Sequence, residues 1–266
     1  MKRIIYILLV LISTELFAQE SEQLKYICQN FDYQKIESGL NDFQNKSTGK
    51  VKYKWNTELK RELINDYFEQ IIEFNKEVQD EENPAIHTVY THKIKLIKKK
   101  KGQLVYFKVV RLKNVKLDGK WVPSEIVLEE KSNNLLNQLK ADFQKTYSLP
   151  LNFEKLFETE IAYGSYCGYA AIQSEYRVKM SQLVNSKDTT TLINWLKSTT
   201  VEIQLYAIDG ILTLKKSGLS FDKSVLNLID LIEKKEGTAH TCSGCMYWNR
   251  PISEIVEGIK KEHYNG

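Results

Sequence analysis

The chain has 266 residues and a formal net charge of +4, with 42% hydrophobic and 11% aromatic residues. That apolar content excludes a disordered chain, and so small a charge surplus argues against nucleic acid or a membrane surface as the partner. Only 4 prolines interrupt it, which leaves long helices free to form.

The N-terminus begins with Lys2 and Arg3, runs apolar from Ile4 to Ile12, and closes on Leu16-Phe17-Ala18. These are the positive, apolar and small-residue zones of a secretory signal peptide, so residues 1–18 are predicted to be removed on export to the periplasm or the medium. The apolar run falls short of the roughly 20 residues that cross a bilayer. No cysteine follows it directly, so no lipid anchor is indicated. Cleavage removes Lys2, Arg3 and Glu15 and lowers the net charge of +4 by one. Cys28, Cys167, Cys242 and Cys245 remain. An even count in an oxidising compartment predicts disulfides, and their pairing stays open.

Beyond the signal, residues 22–44 carry Leu24, Ile27, Phe31 and Ile36 at helical spacing. Ser47-Thr48-Gly49-Lys50 is a turn. Asn56 or Thr57 then caps a predicted helix in which Leu59, Leu63, Tyr67, Ile71, Phe74 and Val78 form one stripe, ended by Asn83-Pro84. From 85 to 130 the period falls to two, with Ile94 and Leu96, then Val105, Phe107 and Val109, then Trp121 to Leu128. The Lys100-Lys101-Gly102 and Asp118-Gly119 turns separate these runs, and Pro123 suits an edge strand. A three-stranded antiparallel meander under the Leu59–Val78 helix follows, giving an α+β domain over 19–131.

Past Ser132 the pattern is helical. Leu135, Leu136, Leu139 and Phe143 form one stripe, and residues 153–163 suggest a second helix. Tyr176, Met180, Leu183 and Val184 keep register up to the break at Asn185-Ser186-Lys187-Asp188, and Leu192, Ile193 and Leu196 follow. Thr199 and Glu202 have capping-box spacing ahead of Val201, Leu205, Ile208 and Leu212, with Gly218 placed for a left-handed cap. Val225, Leu228, Ile229 and Ile232 repeat the pattern up to Gly237. Ile252, Ile255, Val256 and Ile259 repeat it again behind Pro251.

Asp188 to Gly218, with Leu192-Ile193-Asn194-Trp195-Leu196 and Glu202-Ile203-Gln204-Leu205-Tyr206-Ala207-Ile208 before Gly210, resembles a HEAT-like (armadillo-type) α-helical repeat. The resemblance implies that 132–266 is an all-α repeat domain binding protein along a groove, with a plain helical bundle as the alternative.

Cys242-Ser243-Gly244-Cys245 is the sharpest local motif. It reads first as a structural disulfide, with a bridge to Cys167 included in that reading. A redox dithiol is a second reading, and a metal site of His240, Cys242, Cys245 and Cys167 a third. Cys167 lies between Gly164 and Gly168, and none of His87, His92, His240 and His263 is spaced to act as its base. His87 and His92, five apart on a strand, point to opposite faces. Lys98 to Lys101, Arg111, Lys113 and Lys116 read as a solvated hairpin within reach of Glu125, Glu129 and Glu130. Trp195 and Trp248 read as packing residues.

No catalytic residue, metal or cofactor is assigned. The expected function is that of an exported, non-enzymatic module that binds another protein. The alternative is a thiol- or metal-dependent activity centred on Cys242 and Cys245 with Cys167 and His240. Material recovered from the periplasm or medium is expected to begin at Gln19; N-terminal sequencing that finds an intact Met1 there would reject the export signal.

Overall fold

The computed structural model describes residues 24–28, 32–117, 120–168 and 172–264. The predicted signal peptide, Phe31 and the Asp118-Gly119 turn lie outside them. Two compact units are present: one contains Gln70–Leu136 and the chain up to Glu58, the other Leu59–Glu69 with Asn137–Gly266.

In the first unit, helix α1 spans Tyr33–Asn45. Asp32 caps it, its Oδ1 accepting from Gln34 N at 2.9 Å. Ile36, Leu40 and Phe43 fall on one buried face, joined by Leu24 and Cys28 from the helical residues 24–28. This layer packs on Ile72, Phe74, Ile94, Leu96, Leu104, Phe107 and Val109, which stand on one side of a sheet.

That sheet has five strands in sequence order: β1 (Val51–Ile64), β2 (Tyr67–Gln79), β3 (His87–Lys99), β4 (Leu104–Leu117) and β5 (Lys120–Lys131). The last three are the meander expected from the alternation, with Ile94 opposite Val109 and Val109 opposite Leu128. The predicted helix over Leu59–Val78 is instead the β1–β2 hairpin. Its stripe advances mostly in steps of four, which keep one face of a helix and equally one face of a strand. The turn at Asn65 and Asp66, with φ of 44° and 66°, decides between them, since both residue types tolerate the left-handed region. The cover over the sheet is therefore α1.

In the lysine-rich hairpin Lys100 and Lys101 are exposed as expected, and Lys98 is the exception. Lys98 is buried with its Nζ 3.3 Å from the centre of the Tyr33 ring. Lys108 and Arg111 lie opposite Glu129 and Glu125 in the β4–β5 register.

The second unit holds α2 (Asn133–Tyr147, from Asn137 onward), α3 (Glu175–Ser186), α4 (Thr189–Leu196), α5 (Val201–Lys216), α6 (Lys223–Glu233), the hairpin β6 (Thr238–Ser243) and β7 (Met246–Pro251), and α7 (Ile252–Tyr264). Its α-helical character follows the predicted periodicity closely, and Gly218 takes φ +98° after α5 as expected. Three details differ. Residues 153–163 form a single 3-10 turn, Phe153–Lys155, and then irregular chain. The stretch after Gly237 is a β-hairpin rather than a loop. The capping box is not formed: the N-cap of α5 is Thr200, without a side-chain cap bond.

The HEAT-like repeat is also overturned. In a solenoid each helix pair keeps an outer face for solvent. Here α5 is buried on every side from Val201 to Leu212, surrounded by apolar residues of α3, α4, α6 and α7. It is the axis of a small bundle, and a β-hairpin interrupts any repeat between α6 and α7.

His92 on β3 carries a pH prediction for the first unit. It is 3% exposed, and neither ring nitrogen has a hydrogen-bond partner. Burial, helped by the charge of Arg111, depresses its pKa to about 4. The unfolded chain takes up this proton near pH 6.5. The contribution is therefore complete above that pH and is lost as the pH falls toward 4, amounting to roughly 3 kcal/mol. His92→Leu is expected to lose less stability than the native chain between pH 7 and pH 4.5 in urea titrations; equal losses would reject this role.

Candidate functional site

The second unit is organised around a buried ion cluster. Arg61, on the β1 end of the first hairpin, is wholly buried. Its Nε lies 2.5 Å from Glu69 Oε1, and its Nη1 lies 2.7 Å from both oxygens of Glu202. One cation faces two carboxylates, and backbone donors supply the rest. Phe157 N donates to Glu69 Oε2 at 2.7 Å and His240 N donates to Glu202 Oε1 at 2.8 Å. Burial alone disfavours the Arg61 charge, but Glu202 and Glu69 outweigh it and raise its pKa above the ordinary value. This is where the capping residue went: Glu202 holds Arg61 and β6, while the Thr199 hydroxyl accepts from Asn152 N at 3.1 Å.

The same region places β6. Gly237 pairs with Arg61, and a Cβ on it would stand 2.3 Å from Lys60 O, so only glycine fits at its φ of +103°. Glu62 N donates to Glu236 O, and Ile252 N to Gly237 O.

A second polar cluster holds the segment that approaches β6 from the other side. Asp209, buried on α5, accepts from Arg177 Nη1 (2.6 Å) and the Tyr163 hydroxyl (3.0 Å) on one oxygen and faces His263 Nε2 (2.9 Å) on the other. Burial would raise its pKa, yet His263, Arg177 and Tyr163 together hold it below the usual carboxylate range. The Arg177 guanidinium also lies 5.4 and 5.1 Å from the Tyr163 and Tyr206 ring centres and donates to Gly164 O. The Tyr206 hydroxyl accepts from Gly164 N at 3.1 Å and stands 2.7 Å from Ser174 Oγ. A carboxylate already engaged by three partners is a poor general base, so this cluster acts as a clamp. Beside it, a cleft of about 290 Å³ is lined by Lys155, Glu158, Glu160, Ile161, Ala162, Ser174, Glu175 and Tyr176, without a histidine or cysteine.

The clamp delivers residues 163–168 to β6. Tyr163 pairs with Thr241 and Cys167 with Gly244, both in parallel sense. Cys167 and Cys242 are joined in a disulfide across 75 residues. Closing a loop of that length restricts the unfolded chain by about 4 kcal/mol, more than any single hydrogen bond nearby. Gly164 is required where the strands meet, because a Cβ there would lie 2.3 Å from Cys242 O.

Of the residues singled out by sequence, Cys167, Cys242, Cys245 and His240 are brought together and Cys28 is not. Of the pairings that the sequence leaves open, the structure has Cys167–Cys242, the bridge included in the structural-disulfide reading. Cys245 is an exposed free thiol, its Sγ 3.5 Å from Gly168 O. Cys28 is a free thiol buried in the first unit, its pKa pushed up to about 12 by burial and then by Glu130. With two sulfurs committed to the bridge, the four-ligand metal set is not available. Among the described residues no group of three or more His, Cys, Asp or Glu side chains is placed to hold a metal.

Around this bridge lies a run of exposed apolar residues. Tyr166, Ile172, Met246, Tyr247 and Trp248 range from 39% exposed at Trp248 to 66% at Met246 and Ile172. Hydrogen bonds from Gly244 N to Tyr166 O and from Cys167 N to Ile172 O bring the two segments side by side. Trp248, expected in packing, is thus on the surface, whereas Trp195 packs on Tyr176. Arg61, Glu69, Arg177 and Asp209 were not singled out by sequence; the available signals were Glu202 and Asp209 standing inside otherwise apolar helical runs. Comparison with protein-family models, with curated proteins and with solved structures gave no match.

Replacing Arg61 by Met is expected to cost about 3–5 kcal/mol, because it leaves two buried carboxylates facing each other. Urea unfolding measures this directly; a loss below about 1 kcal/mol would mean that the cluster is not closed in solution.

Proposed function

We propose that this chain is an exported, non-enzymatic module that binds another protein through the aromatic surface around the Cys167–Cys242 bridge. The observation that carries the reading is the placement of Met246, Tyr247 and Trp248 on the β6–β7 hairpin and of Tyr166 and Ile172 on the neighbouring segment that the bridge fastens to it. Aromatic residues and Met are the types enriched where proteins meet, and clustered exposed apolar side chains mark such places. None of the five is charged, which favours a partner presenting an uncharged, apolar face over nucleic acid or an anionic surface. A bridge belongs in an oxidising compartment, in keeping with the export signal. Among the described residues no helix is long and apolar enough to cross a membrane.

The test compares the mature protein with a Tyr247→Ser, Trp248→Ser double variant and a Leu231→Ser surface control. Proteins captured from envelope fractions are purified and titrated individually. A partner that binds the native chain and the control alike, and the double variant at least tenfold more weakly, supports the reading. Binding indifferent to the double variant rejects it. So does a native dimer dissolved by the double variant, since the face would then serve self-association.

A further inference from the structure

Cys167 stands opposite Gly244, with Gly168 N donating to Gly244 O at 2.7 Å and Gly244 N donating to Tyr166 O at 2.9 Å. Two cysteines flank Gly244 on the hairpin: Cys242 two residues before it and Cys245 directly after. Gly244 and Cys245 form the two-residue turn between β6 and β7, so Cys245 directly follows the residue that Cys167 pairs with. Disulfides span Cα separations of about 4.4–6.8 Å. Cys242 reaches its observed 5.4 Å because the Tyr163–Cys167 segment holds one residue more than Thr241–Gly244, which draws Cys242 in. The Cys245 side chain is turned the same way, with its sulfur on the carbonyl of the residue that follows Cys167. Nothing lies within 4 Å of the Cβ position of Gly244, so the turn has room to shift.

The geometry points to thiol–disulfide exchange within this trio. The Cys245 thiolate attacks Cys167 Sγ; the Cys167–Cys245 bond forms as the Cys167–Cys242 bond breaks. Cys242 leaves as the thiolate and takes up the proton that Cys245 gave up. One S–S bond replaces another, so neither oxidant nor reductant is consumed. The exchange trades an exposed thiol for a buried one. With the bridge on Cys242, an exposed thiol lies at the turn that leads into Met246, Tyr247 and Trp248; with the bridge on Cys245, that turn has none. The surface is the one proposed above for docking, but the exchange does not depend on a partner.

The experiment uses the mature native chain, held at pH 8.5, acid-quenched, unfolded and labelled with a maleimide. Labelled cysteines are then located by peptide fragmentation. The expected result is two populations, one labelled at Cys245 and one at Cys242. Their ratio should not change on tenfold dilution, and the Cys242 label should be lost in Cys245→Ser. In Cys242→Ser the bridge should pass to Cys167–Cys245, leaving Cys28 as the single labelled cysteine. Label at Cys245 but never at Cys242 in the native chain overturns the proposal. Label persisting at Cys242 in Cys245→Ser also does, since it would report incomplete oxidation. Should Cys245→Ser fail to fold, the native ratio and its independence of dilution decide alone.

Discussion

The second unit depends on one buried cation. Arg61 joins the tip of the first hairpin to the start of α5 through Glu69 and Glu202, and the two carboxylates pass the connection on to Phe157 and His240. A guanidinium suits this place because its planar fork addresses two carboxylates at once, and a single ammonium does not. Backbone N–H groups from Phe157 and His240 complete the hydrogen bonds of the two carboxyl groups. The arrangement dictates other choices nearby. Glu202 is unavailable to cap α5, and Gly237 must lack a side chain so that the chain can pass the backbone of Lys60 and Arg61.

On that base the unit builds a rigid presentation of the β6–β7 hairpin. One side of β6 is positioned from the ion cluster through His240. The segment beside it is held by the Asp209 clamp and then locked by the Cys167–Cys242 bridge. Such fixing would suit the docking role proposed for this surface, because side chains held in place before contact lose less entropy when they bind. It also explains why exposed aromatic residues do not collapse onto the core: β7 is tethered with its side chains outward along its whole length.

How far the sequence could be read depended on the kind of signal. The strands β3 and β4 were legible because Ile94 and Leu96, then Val105, Phe107 and Val109, recur at every second position and are buried. The helices α2 to α7 were legible because their stripes recur at 3.6-residue spacing. The β1–β2 hairpin was misread because Leu59, Leu63, Tyr67 and Ile71 are spaced by four, which is a repeat of both periods, and because Tyr67 to Ile72 is buried on both faces and hides the alternation. The HEAT resemblance failed for a related reason. Local amphipathic spacing in Leu192–Leu196 and Glu202–Ile208 describes one pair of packed helices, but whether further pairs stack beyond it depends on what covers the other sides of α5.

By itself the sequence determined the mixed α+β character, several turns and the positions of most helices, since these rest on contacts a few residues apart. Only the tertiary structure decided that Cys167, and not Cys245, joins Cys242, that Glu202 turns from its helix end to Arg61, and that Trp248 faces outward. Each of those outcomes joins residues far apart in the chain or sets what lies over a side chain, and local spacing carries no record of either.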